Sequence, residues 1–115
     1  MTKGARNPEE LERLFEDAFV VRDRGALVPL FEERAVLVSN GGAGEARGSA
    51  QIAYSAAALW EHDYTYLADP RRVLQAHDVA LVLASQGINV VRRGSDGGWR
   101  YAISLLEIGT NKRRT

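Results

Sequence analysis

Apolar side chains near the N-terminus recur at the spacing of one helical face. The run NPEELERLFEDAFVVRD places them three and four residues apart, which predicts an amphipathic helix. Asn7 is a preferred N-cap residue, and Pro8 is tolerated at the first helical position because its missing N–H has no partner there. The residues of this apolar stripe are Leu11, Leu14, Phe15, Ala18 and Phe19.

Two more helices are indicated in the first half of the chain. DRGALVPLFEE predicts a short helix that starts at Asp23, and Pro29 limits its regularity. RAVLVS then has the pattern of a short strand, and the glycines of NGGAGEARG indicate a loop. Ser49 is the expected cap of the third helix, AQIAYSAAALWEH. The apolar face of that helix carries Ile52, Ala56, Leu59 and Trp60.

From residue 64 the pattern changes to that of strands. YTYLADPRRVLQA, VALVLASQGINVVRR and WRYAISLLEIG follow one another, separated by turns at HD and GSDGG. Helices first and strands afterwards predict an α+β domain with its helices on one face of an antiparallel sheet. A length of 115 residues suits one domain, 1–115, in which we expect 1–6 and 110–115 to be mobile tails.

The strand VALVLA is apolar on both of its alternating faces. Val79, Leu81 and Leu83 form one set, and Ala80, Val82 and Ala84 form the other. An antiparallel strand with one solvated face has polar residues on that face, so the second face is expected to be covered. The simplest cover is a second copy of the chain, which predicts a homodimer through the convex face of the sheet with Val82 in the interface.

Composition excludes several classes of function. Fifteen basic and fifteen acidic residues give a formal charge of zero, so nothing in the overall charge favours nucleic acid or anionic lipid as a partner. Cysteine is absent, and no apolar run reaches the ~18 residues that a membrane span needs. NGGAGEARG matches neither the dinucleotide fingerprint nor the phosphate-binding loop. We therefore expect a soluble, cytoplasmic protein without a cofactor and without nucleic-acid or membrane partners.

Four phrases of the chain, in this order, resemble one known family. They are AFVVRDRGALVPLFEERAVLV, ARGSAQI, VLQAHDVALV and DGGWRYAI, and the resemblance they carry covers the chain from about Pro8 to Leu106. The chain resembles the nuclear-transport-factor-like (cystatin-like fold) superfamily, in its SnoaL-like and ketosteroid isomerase-like branch. The resemblance implies three helices packed on one strongly curved antiparallel sheet that forms a cone, whose open end holds a small, mostly apolar ligand.

The aromatic residues of the predicted cone wall are the candidate ligand-binding residues. They are Phe15, Phe19, Tyr54, Trp60, Tyr66, Trp99 and Tyr101. In the last strand, alternation places Trp99, Tyr101, Ile103 and Leu105 on the helix side, because burying two rings and two aliphatic chains there is most favourable. Ser104 is then predicted on the dimer side.

Acid–base residues are harder to assign. Relatives often carry acidic or His residues a few positions after the equivalent of Trp99, where this chain has ISLL. Asp69 or Glu107 could serve as a base and Tyr54, Tyr64, Tyr66 or Tyr101 as hydroxyl donors, but the same residues also suit ordinary packing and solvation. The catalytic residues are therefore left unassigned.

The two His-Asp pairs have the sequence context of helix ends and turns. His62-Asp63 ends a helix and His77-Asp78 joins two strands, so neither pair predicts a metal site.

Three polar residues stand alone in apolar strands: Gln86, Asn89 and Ser104. Each either pairs with backbone at a bulge near Gly87 or bonds a ligand in the cone.

Three functions remain open on this pattern. The first is a dimeric domain that binds a small apolar ligand in its cone and lacks an intact acid–base site. The second is an isomerase-like or cyclase-like enzyme that acts on a small apolar carbonyl compound. The third is a non-catalytic dimerisation module.

Overall fold

The computed structural model of the protein describes residues 4–39, 44–62 and 66–107. The helices are α1 (Pro8–Val21), α2 (Arg24–Leu27), which continues as a 3-10 turn (Val28–Leu30), and α3 (Ser49–Ala58), which continues as a second 3-10 turn (Leu59–His62). The strands are β1 (Phe31–Ser39), β2 (Gly44–Arg47), β3 (Pro70–Ala76), β4 (Val79–Ala84), β5 (Gly87–Arg93) and β6 (Trp99–Leu106).

The six strands form one open, curved sheet in the order β2-β1-β6-β5-β4-β3. The predicted α+β class is confirmed, with one addition: β1 and β6 run parallel, so the sheet is mixed. The chain passes through α3 and four strands before β6 returns beside β1, and so long a connection allows two parallel neighbours. The helices pack on one face, which we call the inner face, and the other is the outer face.

The first helix forms as its sequence predicts. The Asn7 side chain accepts a hydrogen bond from the Glu10 backbone N–H at 2.7 Å, and Pro8 occupies the first turn. The helix ends at Arg22, whose left-handed backbone (φ 58°) directs its N–H to the carbonyls of Ala18 and Phe19. The predicted stripe therefore faces the sheet.

Several predicted boundaries are wrong. Residues 44–47 were expected in a loop, but they form β2, because they pair with the exposed edge of β1. Gly48, with φ 88°, takes the cap position expected for Ser49. β3 starts at Pro70, six residues later than its pattern suggested, since proline is tolerated at the start of an edge strand.

The N-terminal segment packs on the sheet at one point. Ala5 is buried, and its carbonyl accepts a hydrogen bond from the Trp99 N–H at 2.9 Å. Ala5, within the predicted tail 1–6, therefore contacts β6. Residues 1–3 and 108–115 lie outside the described residues.

The core fills the space between the helices and the inner face. Phe15 lies at its centre and meets Phe31, Tyr66 and Tyr101 edge-on, with ring centroids 6.0, 4.7 and 5.6 Å away. Such aromatic pairs contribute about 0.5–1.5 kcal/mol each beyond the burial of their area. The aromatic wall thus closes much of the cone from inside.

Candidate ligand site in the cone

A buried carboxylate collects three hydrogen bonds inside the cone. The Tyr66 hydroxyl donates to Glu12 Oε1 at 2.5 Å, while the Tyr101 hydroxyl and Asn89 Nδ2 donate to Oε2 at 2.7 and 3.0 Å. All four residues are at most 2% exposed. We call Glu12, Tyr66, Asn89 and Tyr101 the Glu12 cluster.

Four separate segments build this cluster. Glu12 projects from α1 on the same helical face as Phe15 and Phe19, three and seven residues later. Tyr66 lies just before β3, Asn89 on β5 and Tyr101 on β6. Side chains alternate between the two faces along a strand. Ile88 and Val90 face outward, so Asn89 between them faces inward.

Burial and hydrogen bonding act in opposite directions on Glu12. Burial raises the pKa of the Glu12 carboxyl, and this effect exceeds the opposing effect of the bonds from Tyr66, Tyr101 and Asn89. Burial and the nearby carboxylate likewise raise the pKa of both Tyr66 and Tyr101, so both keep their hydroxyl protons. No cation contacts Glu12 within the described ranges.

A small cavity, which we call the cone cavity, lies next to the cluster. It offers about 10 Å³ to the centre of a water-sized sphere, which is the space of one water molecule. Glu12 lies behind this lining, because three of the lining groups donate to it. The lining residues are Phe15, Phe31, Leu37, Tyr66, Asn89, Tyr101, Ser104 and Leu106.

The position of Ser104 corrects the prediction for β6. Pairing with β5 shifts register between Tyr101 and Ile103, so Ala102 is an extra residue that reverses the alternation. Trp99 and Tyr101 face inward as predicted, but Ile103 is 46% exposed and belongs to the outer face. Ser104, predicted on the dimer side, is 3% exposed and lines the cone cavity.

The structure brings together only part of the predicted binding set. Phe15, Tyr66 and Tyr101 line the cone cavity. Tyr54 was expected in the pocket, but it is 67% exposed because it lies on the solvent side of α3, where Arg24 stacks on its ring.

The other three aromatic residues are buried away from the cone cavity. Phe19 packs edge-on against Trp60, with 5.6 Å between ring centroids. Trp60 lines a separate surface groove beside Arg24, and its buried Nε1–H has no hydrogen-bond partner in the described part of the chain. Trp99 lies beside the segment of Ala5, with the Arg93 guanidinium over its ring.

Neither candidate base reaches the cavity. Asp69 forms an exposed ion pair with Arg71 at 3.1 Å, and Glu107 is exposed beyond the end of β6. Tyr64 and Asp63 lie outside the described residues. Gln86, at the turn between β4 and β5, accepts a hydrogen bond from the Leu67 N–H at 2.7 Å, so it bonds to backbone.

The histidine pair that the structure describes forms the predicted turn. His77 adopts a left-handed conformation (φ 57°), and Asp78 bonds the Arg93 guanidinium. Residues 4–39, 44–62 and 66–107 contain no group of three His, Cys, Asp or Glu side chains placed to hold a metal ion.

Sequence reasoning missed Glu12, the centre of the cluster. A signal was present, because a charged residue on the same helical face as two phenylalanines must find partners inside the protein. Those partners are 54, 77 and 89 residues away in sequence, so local pattern could not identify them.

The outer face of the sheet is apolar over two rows of side chains. Cross-strand pairing aligns Leu74, Leu81, Val90, Ile103 and Val36 in one row and Leu83, Ile88, Leu105 and Val38 in the next. All nine are partly or fully exposed. Val82 was predicted here but is fully buried on the inner face, so Val79, Leu81 and Leu83 form the outer set of β4.

Comparison with known proteins identifies the fold. No protein-family model matches the chain, and no curated protein is similar to it in sequence. A ketosteroid isomerase-like protein from Erwinia carotovora atroseptica superposes with a TM-score of 0.72 at 19% identity, over 90% of this chain and 94% of that one. An NTF2-like protein with a cystatin-like fold from Novosphingobium aromaticivorans gives 0.68 at 20% identity, over 90% and 80%.

A third structural neighbour has a different description. A protein from Thiobacillus denitrificans, assigned as a calcium/calmodulin-dependent protein kinase type II association domain, superposes with a TM-score of 0.72 at 15% identity, over 93% of this chain and 98% of that one. These similarities confirm the predicted cystatin-like, nuclear-transport-factor-like fold. Among the described residues, no helix combines the length and the apolar character that a transmembrane span requires.

Proposed function

We propose that this chain is a homodimeric domain that binds a small, mostly apolar ligand in its cone and does not catalyse a reaction on it. One observation carries the proposal: Tyr66, Asn89, Tyr101 and Ser104 are buried polar residues that line one cavity in an otherwise apolar wall. A few placed polar groups in an apolar lining are typical of ligand sites.

The size of the cavity limits what its polar end accepts. A space of about 10 Å³ for a water centre accommodates one oxygen atom, either of a water or of a ligand. The ligand therefore presents a single oxygen to Tyr66 and Ser104, and its apolar part requires rings such as Phe15 and Phe31 to move apart around it. Displacing one water with a ligand oxygen that remakes its hydrogen bonds preserves affinity.

The arrangement favours binding over the isomerase-like or cyclase-like alternative. A general base must come within hydrogen-bond reach of the proton it removes. Glu12 lies behind the lining, and Asp69 and Glu107 are exposed elsewhere. The lining residues with polar groups are hydroxyls and an amide, which bind a ligand oxygen but are poor bases near neutral pH.

The outer face supports the homodimer. One row of aliphatic side chains crosses five strands and the adjacent row crosses four, ending at Arg72 on β3, and no charged residue lies within either row. A contiguous apolar patch of this kind marks an interaction site. A second copy is the simplest occupant, because a twofold axis pairs the patch with itself. The likeness to a protein assigned as an association domain is consistent with assembly.

The ligand proposal is tested by NMR with tyrosine rings labelled with ¹³C. We expect 2-propanol, whose one oxygen fits the cavity and whose two methyl groups need the adjoining rings to move apart, to shift the Tyr66 and Tyr101 signals in a saturable manner. Ser104→Leu fills the cavity and should abolish these shifts. Ser55→Leu, on the exposed side of α3, is the matched control and should leave them unchanged. Linear, unsaturable shifts in the wild type would contradict the proposal.

A further inference from the structure

The directions of the tyrosine hydroxyl hydrogens in the Glu12 cluster determine whether the cone cavity offers a ligand a hydrogen-bond donor or an acceptor. Tyr66 and Tyr101 line the cavity, and each also bonds Glu12 through its hydroxyl. A phenol has one hydrogen to donate, so it cannot donate to both sides at once. The direction in which each hydrogen points is therefore set by Glu12.

With Glu12 ionised, both hydroxyl hydrogens point away from the cavity. A carboxylate only accepts, so Tyr66 donates to Oε1, and Tyr101 and Asn89 donate to Oε2. Neither phenol then has a hydrogen left to donate to the cavity; their oxygens can only accept, and the Tyr66 oxygen is also bonded by the Asn89 side chain. A ligand hydroxyl, which can donate, satisfies them, whereas a carbonyl oxygen cannot.

With Glu12 protonated, Tyr66 is released. Oε2 already accepts two hydrogen bonds, so the proton belongs on Oε1, whose one partner among the described residues is the Tyr66 oxygen at 2.5 Å. Tyr66 then accepts from Glu12, and its own hydrogen turns to the cavity. The site gains a donor, which suits a ligand carbonyl.

We infer that the proton on Glu12 sets the polarity of the cone cavity through Tyr66: the ionised cluster prefers alcohols and the protonated cluster prefers ketones or aldehydes. This inference rests on the proposed ligand site and names its ligand class, a neutral compound with one hydroxyl or carbonyl oxygen. Glu12 is a positioning residue here, because it acts on the ligand only through Tyr66.

Of the groups in this part of the core, Glu12 is the one whose ionisation sets the direction of the Tyr66 hydrogen. From β5, β6 and the segment before β3 it meets Asn89, which does not titrate, and Tyr101 and Tyr66, whose pKa values are raised. On its own helix, Glu16 lies one turn later and accepts a hydrogen bond from the Ala68 N–H at 3.0 Å. Burial raises the pKa of Glu12 above its ordinary value of 4.5, so the proton leaves at a higher pH than in an exposed glutamate.

The test measures the dissociation constants of 2-propanol and acetone from pH 4.5 to 8.5. The two probes match in size, differ only in hydroxyl against carbonyl, and do not titrate in this range. We expect the ratio of the acetone Kd to the 2-propanol Kd to rise by roughly fivefold across the titration of Glu12, the scale of one neutral hydrogen bond. Ser104 can donate to or accept from either probe whether Glu12 is protonated or ionised. The test therefore depends on how the ratio changes with pH and not on either Kd alone.

Two variants separate the inference from the proposed function. Tyr66→Phe removes the rotating hydroxyl and Glu12→Gln removes the titration, and each should make the ratio independent of pH while circular dichroism confirms the fold. Saturable binding of both probes with a constant ratio in the wild type would overturn this inference and leave the ligand site intact. Binding of neither probe at any pH would overturn the ligand site and this inference with it.

Discussion

Tyr101 and Ser104 line the same cavity although they are three positions apart in one strand. A regular strand would place them on opposite faces, but the extra residue Ala102 reverses the alternation between them. The bulge therefore adds a second hydroxyl from β6 to the cone and moves Ile103 and Leu105 to the outer face. One irregularity serves both the proposed ligand site and the proposed dimer surface.

Glu12→Gln should change how stability depends on pH. In the wild type the folded-state pKa of Glu12 is raised, so its favourable contribution is complete below 4.5 and is lost as pH rises through the folded pKa. Each unit by which that pKa is raised corresponds to about 1.4 kcal/mol. Glutamine has no charge to bury, so the variant should gain stability relative to the wild type as pH rises.

Urea unfolding from pH 4.5 to 8.5 measures this effect. Glu9→Gln, an exposed position on the same helix, is the control and should follow the wild-type profile. Parallel profiles for Glu12→Gln and wild type would show that the raised pKa does not influence folding.

Trp99→Ala should cost about 3–5 kcal/mol of unfolding free energy, because it empties a large buried site. Trp99 is 2% exposed and contacts the segment of Ala5. The midpoint of chemical denaturation checks this value. A midpoint close to that of the wild type would mean that the indole adds little to the core.

Ile103→Lys should convert the proposed dimer to a monomer. Ile103 is 46% exposed in the single chain and lies inside the longer apolar row, between Val90 and Val36, so lysine there is tolerated by the fold but not by an apolar interface. Val20→Lys, 57% exposed on α1, is the control and should remain dimeric. Sedimentation equilibrium at micromolar concentration distinguishes a dimer from a monomer for each variant. A monomeric wild type would refute the proposed dimer.

Sequence predicted those parts of the fold that depend on local periodicity. The stripe from Leu11 to Phe19 and the turn at His77 follow from neighbouring residues, and both are present. Tyr54 was misplaced because the alanine-rich α3 has little contrast between its faces, so its orientation is set by packing against β1 and α2. The bulge at Ala102 was missed for a similar reason, since it exists only in the pairing of β6 with β5.

The candidate site was only half predictable. Tyr66 and Tyr101 were chosen as amphipathic aromatics, and Asn89 and Ser104 stood out as polar residues in apolar strands. Their convergence depends on contacts across the sheet, and Glu12 joins them from a helix 89 residues away from Tyr101. Long-range contacts of this kind leave little trace in local sequence.

A crystal structure of the protein grown with 2-propanol would locate the probe oxygen and so decide whether the cone binds a ligand. We predict one oxygen in the cone cavity within ~2.6–3.2 Å of the Tyr66 or Tyr101 hydroxyl, with the methyl groups against Phe15 or Phe31. A cone closed by its own side chains, with 2-propanol bound only at the surface, would contradict the account.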